Sequence, residues 1–421
     1  MLNYMSTNYI NDLKLKEEIF PIFNYCLNDL SKYKLYNLLD TPLKNIEDIY
    51  IRQNIIKGFI LNSNLLKDYK YSKIYFHQVY EFLLNFSDED LDISKTSLFF
   101  SLKLKSEIQS KFIQIINIFN KIEFFLKKIN LDQYPVVYRK EILTMLNFIS
   151  YFNLKSFKNN NLNILVSLSK KIRDKKDEFK HFFDLLIQFE VYMSLSISIM
   201  NNNFVFPTFS KKDINLEGLY HPLLKDPISN NIIFNKNVII LTGPNMSGKS
   251  TFLKSIFISI YLGHLGLGIP AKKASYPFFD YFSISLNSND DLKKGYSHFM
   301  NEIILLKNSL INANKGMKCF IVFDEIFNGT NIDDAFKISS QTIKGLLGFT
   351  NCFSIISTHI QILNQIDEIK NNNTDNYYID SSLIDKQPIF SYKLKKGWSD
   401  LKIGAILFEK EGIKALLEKN S

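Results

Sequence analysis

The sequence predicts an α + α/β protein: an all-helical part over residues 1–205, then a phosphate-loop part over 206–402 built on a mainly parallel sheet, with 403–421 as a short tail. Three observations lead there. The residues before 200 keep a 3.6-residue apolar rhythm almost free of turn punctuation. Residues 200–222, MNNNFVFPTFSKKDINLEGLYHP, then gather Asn clusters, Pro207 and Gly218, which mark a boundary. Beyond it, short β-branched runs alternate with helical ones, the pattern of strands buried on both faces.

The helical reading is clearest in SEIQSKFIQIINIFNKIEFFLKKI (106–129), where Ile108, Phe112, Ile115, Ile116, Phe119 and Ile122 fall on one stripe. The spacing predicts that this stripe is core. In the second part NVIIL (237–241) reads as a buried strand and runs into LTGPNMSGKSTFLKSI (241–256). Gly243, Gly248, Lys249 and Ser250 fit GxxxxGK[ST], and the strand, loop and helix follow in the order that motif requires. The glycines let backbone N–H groups wrap phosphates, Lys249 carries charge to the β and γ phosphates, and the Ser250 hydroxyl suits Mg²⁺. CFIVFDEI (319–326) reads as an apolar strand that delivers Asp324 to orient Mg²⁺ and, next along it, Glu325 to activate water as general base. CFSIISTH (352–359) reads as a third strand ending in His359, placed to sense a γ-phosphate.

Composition narrows the class further. A chain of 421 residues with 46% hydrophobic content can bury a core and is not disordered. Cys26, Cys319 and Cys352 form no CxxC pair, so neither a disulfide framework nor a zinc site is expected. The N-terminus lacks the basic-then-apolar order of a signal peptide and no uncharged apolar run reaches a membrane span, so a soluble cytoplasmic protein without a membrane partner is expected. A net charge of +9 favours a polyanionic partner, although Arg52, Arg139 and Arg173 are the only arginines and lysine is the default polar residue.

These motifs together resemble the MutS family of DNA mismatch-repair ATPases, relatives of the ABC ATPases. TGPNMSGKST is similar to the family's TGPNMGGKST, whose Asn and Met, here Asn245 and Met246, a generic phosphate loop does not demand. GIPAKKASYPFFDYFSISLNSNDDLKKGYSHFMNEI resembles the family segment from a VPA turn through DDL to GxSTFMxEM, FDEIFNGTN resembles DEIGRGTS, and STHI resembles ATHY. YNLLDTPLKNIEDIYIRQNIIKGFI (36–60) is similar to the opening of the family's helical core. The resemblance implies an N-terminal core and lever domain, an ABC-type ATPase domain, and ATP and Mg²⁺ as cofactors. It implies nucleotide binding by Gly243, Pro244, Asn245, Met246, Ser247, Gly248, Lys249, Ser250 and Thr251, with Mg²⁺ held by Ser250 and Asp324 and catalysis by Glu325 and His359. Ser297 is placed to contact in trans the γ-phosphate of an opposing subunit. The implied partners are double-stranded or branched DNA, bound without sequence preference, and a second MutS-type subunit in a homodimer or heterodimer.

Departures from the family pattern set further expectations. The chain begins almost at the helical core, so a shortened member without the mismatch-recognition domain is expected, and its one Phe-x-Glu, Phe323-Asp324-Glu325, lies in the Mg²⁺ strand. His298 follows Ser297 where the family has Thr, Phe327 interrupts the DEIGRGTS pattern, and no arginine occurs after Arg173 to act as a finger. His221 and Pro222 match the family's HP, but Ile228 stands where an aromatic adenine contact is expected. Two other readings remain open. An ABC-type structural DNA clamp is opposed by the short span between the phosphate loop and Asp324, and a degenerate nucleotide-regulated interaction module is separable by measuring turnover.

Overall fold

The structure is a computed structural model and describes residues 8–87, 91, 102–153, 162–286, 298–384, 387–399, 401, 408–410 and 413–418. The chain forms two compact units. Phe20–Leu39 and Tyr50–Asn201 make a helical unit, and Met1–Ile19, Asp40–Ile49 and Asn202–Ser421 make a sheet unit.

Chain order begins with α1 (Asn8–Asp12) in the sheet unit. The helical unit holds α2 (Asp29–Leu38), most of α3 (Ile46–Leu61), α4 (Lys73–Asn85), α5 (Leu102–Lys128), α6 (Val136–Tyr151), α7 (Leu162–Asp174) and α8 (Glu178–Asn201). Its core follows from the apolar period: every residue of the predicted α5 stripe is buried, alongside Phe148, Phe152, Phe179 and Phe182. The Phe148 and Phe182 rings stack with centroids 4.7 Å apart, and Phe119 meets Phe182 at 5.3 Å, so ring geometry adds to area burial. By length and composition α8 could cross a membrane, yet 72% of its most apolar window is buried inside the protein. A helix apolar on all sides is what a central core position requires.

Inside α8 one charge is fully buried. The Glu190 carboxylate accepts from Asn28 Nδ2 at 2.5 Å, Ser31 Oγ at 3.1 Å, Tyr69 OH at 3.0 Å and Tyr71 OH at 2.5 Å. Burial pushes its pKa up to about 7 against the pull of those donors.

The sheet unit carries β1 (Thr208–Ser210), β2 (Ile214–Leu219), β3 (Asn230–Phe234), β4 (Val238–Thr242), β5 (Lys273–Pro277), β6 (Tyr281–Ser285), β7 (Cys319–Phe323), β8 (Cys352–Ser357), β9 (Asp375–Ile384) and β10 (Gln387–Lys396). One mixed sheet has the order β1-β5-β2-β3, and a six-stranded sheet has the order β10-β9-β4-β8-β7-β6. In the larger sheet β9, β4, β8, β7 and β6 pair in parallel and β10 pairs antiparallel to β9, so the expected mainly parallel sheet is present. β4, β7 and β8 are buried at every residue, which explains their unbroken apolar sequence. The unit's long helices among the described residues are α9 (Lys249–His264), α10 (His298–Asn314) and α11 (Ile332–Leu347).

Two groupings in this unit have no local sequence signal. Tyr9 of α1 packs its ring 5.2 Å from Tyr261 and 5.8 Å from Phe257, both on α9, and Leu43 N–H donates to His264 O at 3.0 Å. Cys319 and Cys352 are register partners on β7 and β8, as buried free thiols. His264 closes the far end of α9 as a satisfied core residue: its Nδ1 lies 2.8 Å from Ile260 O and its Nε2 accepts from Phe279 N–H at 2.8 Å. Burial pushes its pKa down to about 4, so the ring is neutral.

Candidate nucleotide site

The loop between β4 and α9 is shaped by two glycines in the left-handed region, Gly243 at φ 143° and Gly248 at φ 99°. A Cβ at Gly243 would lie 3.0 Å from Ser247 Oγ, and one at Gly248 would lie 3.2 Å from the Tyr392 ring, so backbone approach is possible only without side chains there. Ser247 Oγ is buried with no hydrogen-bond partner among the described residues. Pro244 is buried, Asn245 and Met246 are exposed, and Ser250 and Thr251 lie exposed in the first turn of α9. That turn presents free N–H groups and the positive end of the helix dipole.

Lys249 is 5% exposed, and its ammonium donates to Gly243 O at 2.9 Å and Pro244 O at 3.3 Å. Burial lowers its pKa, and the nearby Glu325 and Asp324 carboxylates oppose that shift. A partly desolvated cation thus sits over the loop, hydrogen-bonded to carbonyl dipoles and within ion-pair range of Glu325 at 3.9 Å.

β7 ends at Phe323, so both acids follow the strand rather than lie along it. Asp324 is 1% exposed, its N–H donates to Ser285 O at 2.8 Å, and its Oδ1 accepts from Ser357 Oγ at 2.7 Å. Glu325 departs from the expected strand geometry, with φ 60°, because the chain turns sharply there. Its N–H donates to Ser357 Oγ at 2.7 Å, Asn328 Nδ2 donates to its Oε2 at 3.1 Å, and its Oε1 lies 3.9 Å from Lys249 Nζ. Since β8 lies between β4 and β7, the topology itself brings the phosphate loop, Asp324 and Glu325 to one end of the sheet. His359, two residues beyond β8, is exposed. Phe327 is also left-handed, φ 57°, and its N–H donates at 3.1 Å to Glu302 on α10. Burial first, and the Asp324 charge after it, push Glu302 up to about 8, so its carboxyl is protonated at neutral pH.

Beside the loop opens a cavity of about 360 Å³ whose lining includes His221, Ile228, Gly248, Phe252, Ile379 and Tyr392. That volume is in the range of small-ligand pockets. Tyr392 is an aromatic of this lining that the sequence around Ile228 does not point to. It sits at φ 55° in a register shift of β10 between Phe390 and Leu394. Asn230 holds the shift, donating to Tyr392 O at 2.9 Å and accepting Leu394 N–H at 2.8 Å. Only the irregularity of the strand turns the ring over Gly248, and no sequence pattern announces it.

Ser297 lies outside the described residues; His298 begins α10, with its side chain outside them as well. Among the described residues no cluster of three or more His, Cys, Asp or Glu could hold a metal alone. One carboxylate and one hydroxyl, Asp324 and Ser250, form a hard oxygen donor set of the kind Mg²⁺ takes when phosphates complete its shell. The orphaned Ser247 hydroxyl and the glycine cradle likewise fit a phosphate.

A buried parallel sheet that carries a glycine-rich loop and two acids at one end is the arrangement of the phosphate-loop fold class. Residues 239–414 match the family profile described as MutS domain V. The chain is 30% identical over 212 residues to DNA mismatch repair protein MutS of Bacillus subtilis, covering 48% of this chain and 24% of that protein. It is 33% identical over 216 residues to MutS of Persephonella marina, covering 50% of this chain and 24% of that one. With MutS of Fusobacterium nucleatum it shares 25% identity over 443 residues, covering 97% of this chain and 47% of the relative. These matches support a MutS-family member, and they span less than half the length of these curated relatives.

Proposed function

We propose that this chain binds ATP with Mg²⁺ and hydrolyses it, in an ABC-type site completed by a second MutS-type subunit, and that the cycle drives a conformational change on DNA. The observation that carries this reading is the convergence of Lys249, Asp324 and Glu325 at one end of the sheet, beside a nucleoside-sized cavity. Lys249 can exchange its two carbonyl acceptors for phosphate oxygens, which relieves its desolvation. The cavity lined by His221, Phe252 and Tyr392 receives the nucleoside. Ser250 and Asp324 would hold Mg²⁺, which would supply neutralisation of charge on the phosphates. Glu325 takes the proton of the attacking water, its second oxygen being fixed by Asn328. His359, exposed beyond β8, and Ser297, offered in trans, are the remaining phosphate contacts of this reading.

The reading is tested with Glu325→Gln, which should bind ATP, stall in hydrolysis and accumulate as a dimer in light scattering, with ADP weakening the dimer. A monomer in every nucleotide state, with turnover independent of protein concentration, would discard the composite site. Nucleotide binding without turnover in wild type would favour a nucleotide-regulated interaction module. DNA binding should be indifferent to sequence and weaken steeply with salt, because lysine contacts release counterions. Equal affinity at low and moderate salt would remove DNA as the partner.

A further inference from the structure

We infer that Ser357 is a positioning residue for the hydrolytic site, its hydroxyl clamping both acids into working geometry; this rests on the nucleotide reading above. Ser357 is the last residue of β8 and is fully buried. Its Oγ donates to Asp324 Oδ1 at 2.7 Å and accepts Glu325 N–H at 2.7 Å. One hydroxyl therefore uses its donor on the carboxylate assigned to the metal and a lone pair on the backbone of the assigned base. Glu325 N–H belongs to a left-handed residue at φ 60°, a conformation that a non-glycine holds only when its surroundings enforce it. The same turn aims the Glu325 carboxylate at Lys249. β8 contributes a second restraint, since Ile326 N–H donates to Ser357 O at 3.2 Å. The sequence shows that the hydroxyl belongs to this chain: Ser357 stands where the ATHY pattern has Ala.

The test uses the full chain with Ser357→Ala, which removes the hydroxyl and keeps the buried β-carbon. Single-turnover hydrolysis at saturating ATP and Mg²⁺ should fall about 10–100-fold, the usual cost of losing a partner that orients a ligand carboxylate. ATP affinity without Mg²⁺ should stay at the wild-type value. Hydrogen exchange, which needs no turnover, should quicken in the peptide covering residues 324–328 and nowhere else in the sheet unit. Ser357→Thr, which keeps the hydroxyl, should restore both readouts; if the Ala variant does not fold, Ser357→Cys, near in volume and a weak donor, is read in its place. Wild-type hydrolysis and exchange in the variant overturn the inference. So does faster exchange across the whole unit with ATP affinity lost, which marks a folding role. If wild type turns over ATP and Ser357→Ala matches it, only the Ser357 assignment falls; if wild type neither binds nor hydrolyses ATP, the nucleotide reading falls and takes Ser357 with it.

Discussion

Glu190 in the helical unit and Asp324 in the sheet unit are both buried carboxylates, and they are treated differently. Glu190 is surrounded by side-chain donors, Asn28, Ser31, Tyr69 and Tyr71, drawn from separate segments of its unit. Among the described residues Asp324 receives one side-chain donor, Ser357, and its neighbourhood holds a cation, Lys249, that is bonded elsewhere. Backbone strain divides the same way. Asn153 is the helical unit's left-handed non-glycine among the described residues, and asparagine tolerates that region, whereas Met246, Glu325, Phe327 and Tyr392 at the nucleotide site do not do so readily. Within the helical unit the Glu190 carboxylate is satisfied by its own neighbours. The sheet unit gathers Lys249, Asp324, the Ser247 hydroxyl that is unpartnered among the described residues, and four of its left-handed residues at the candidate site, where a ligand can complete them.

The contrast breaks first at the acids. Glu325→Gln keeps the size of the side chain but cannot take a proton, so turnover should fall about 10²–10⁴-fold with ATP affinity intact. Phosphate release and calorimetric titration measure the two halves; wild-type turnover in the variant would mean that Glu325 is not the base. Next is Lys249→Ala, which leaves the phosphates without their buried cation and should weaken ATP binding about 100-fold, on the order of 3 kcal/mol. Unchanged affinity would remove the phosphate loop from the assignment.

In the helical unit the same kind of change should act on stability alone. Glu190→Ala strands buried donors on Tyr69, Tyr71, Ser31 and Asn28. A loss of about 2–3 kcal/mol is expected in urea unfolding, since each stranded group costs its desolvation, while the folded fraction keeps wild-type ATP affinity. A loss of ATP affinity with stability unchanged would contradict the division of labour drawn here.

What could be read from sequence depended on the distance over which each feature is specified. The α5 stripe from Ile108 to Ile122 and the loop from Gly243 to Thr251 are local periodicities and spacings; the stripe is buried, and the loop lies between a strand and a helix in the order its spacing requires. Asp324 and Glu325 were legible because an apolar strand must stop where charge begins, though the turn that lifts Glu325 off the strand was not. Ser357 acts because β8 lies beside β7, and Tyr392 because β10 shifts register around Asn230; neither is visible in a linear pattern. Tyr9 joins the sheet unit through rings on α9 more than two hundred positions away, again without a local sign.

The smallest expected effect concerns Glu302, the carboxyl that supports the turn from the α10 side. Its Oε2 accepts Phe327 N–H, and its pKa rises from 4.5 to about 8. In the unfolded chain the group loses its proton near 4.5, while the folded chain holds it to about 8. Between those values the folded state binds more protons, so this group's contribution to stability is fully present below 4.5 and is lost as pH rises to 8. One such group contributes a fall of about 1.4 kcal/mol per pH unit at most. Glu302→Gln keeps a carbonyl oxygen for Phe327 N–H but cannot ionise, so the difference between its unfolding curve and that of wild type isolates this slope from that of Glu190, which titrates in both. The variant should be flatter across this window and retain most of its turnover, because the acceptor is kept. Glu302→Leu, which removes the acceptor, should lose turnover as the loop carrying Glu325 slackens. Parallel pH–stability curves for wild type and Glu302→Gln would show that the carboxyl is ionised in the fold, and the turn would then be anchored by charge rather than by a neutral acceptor.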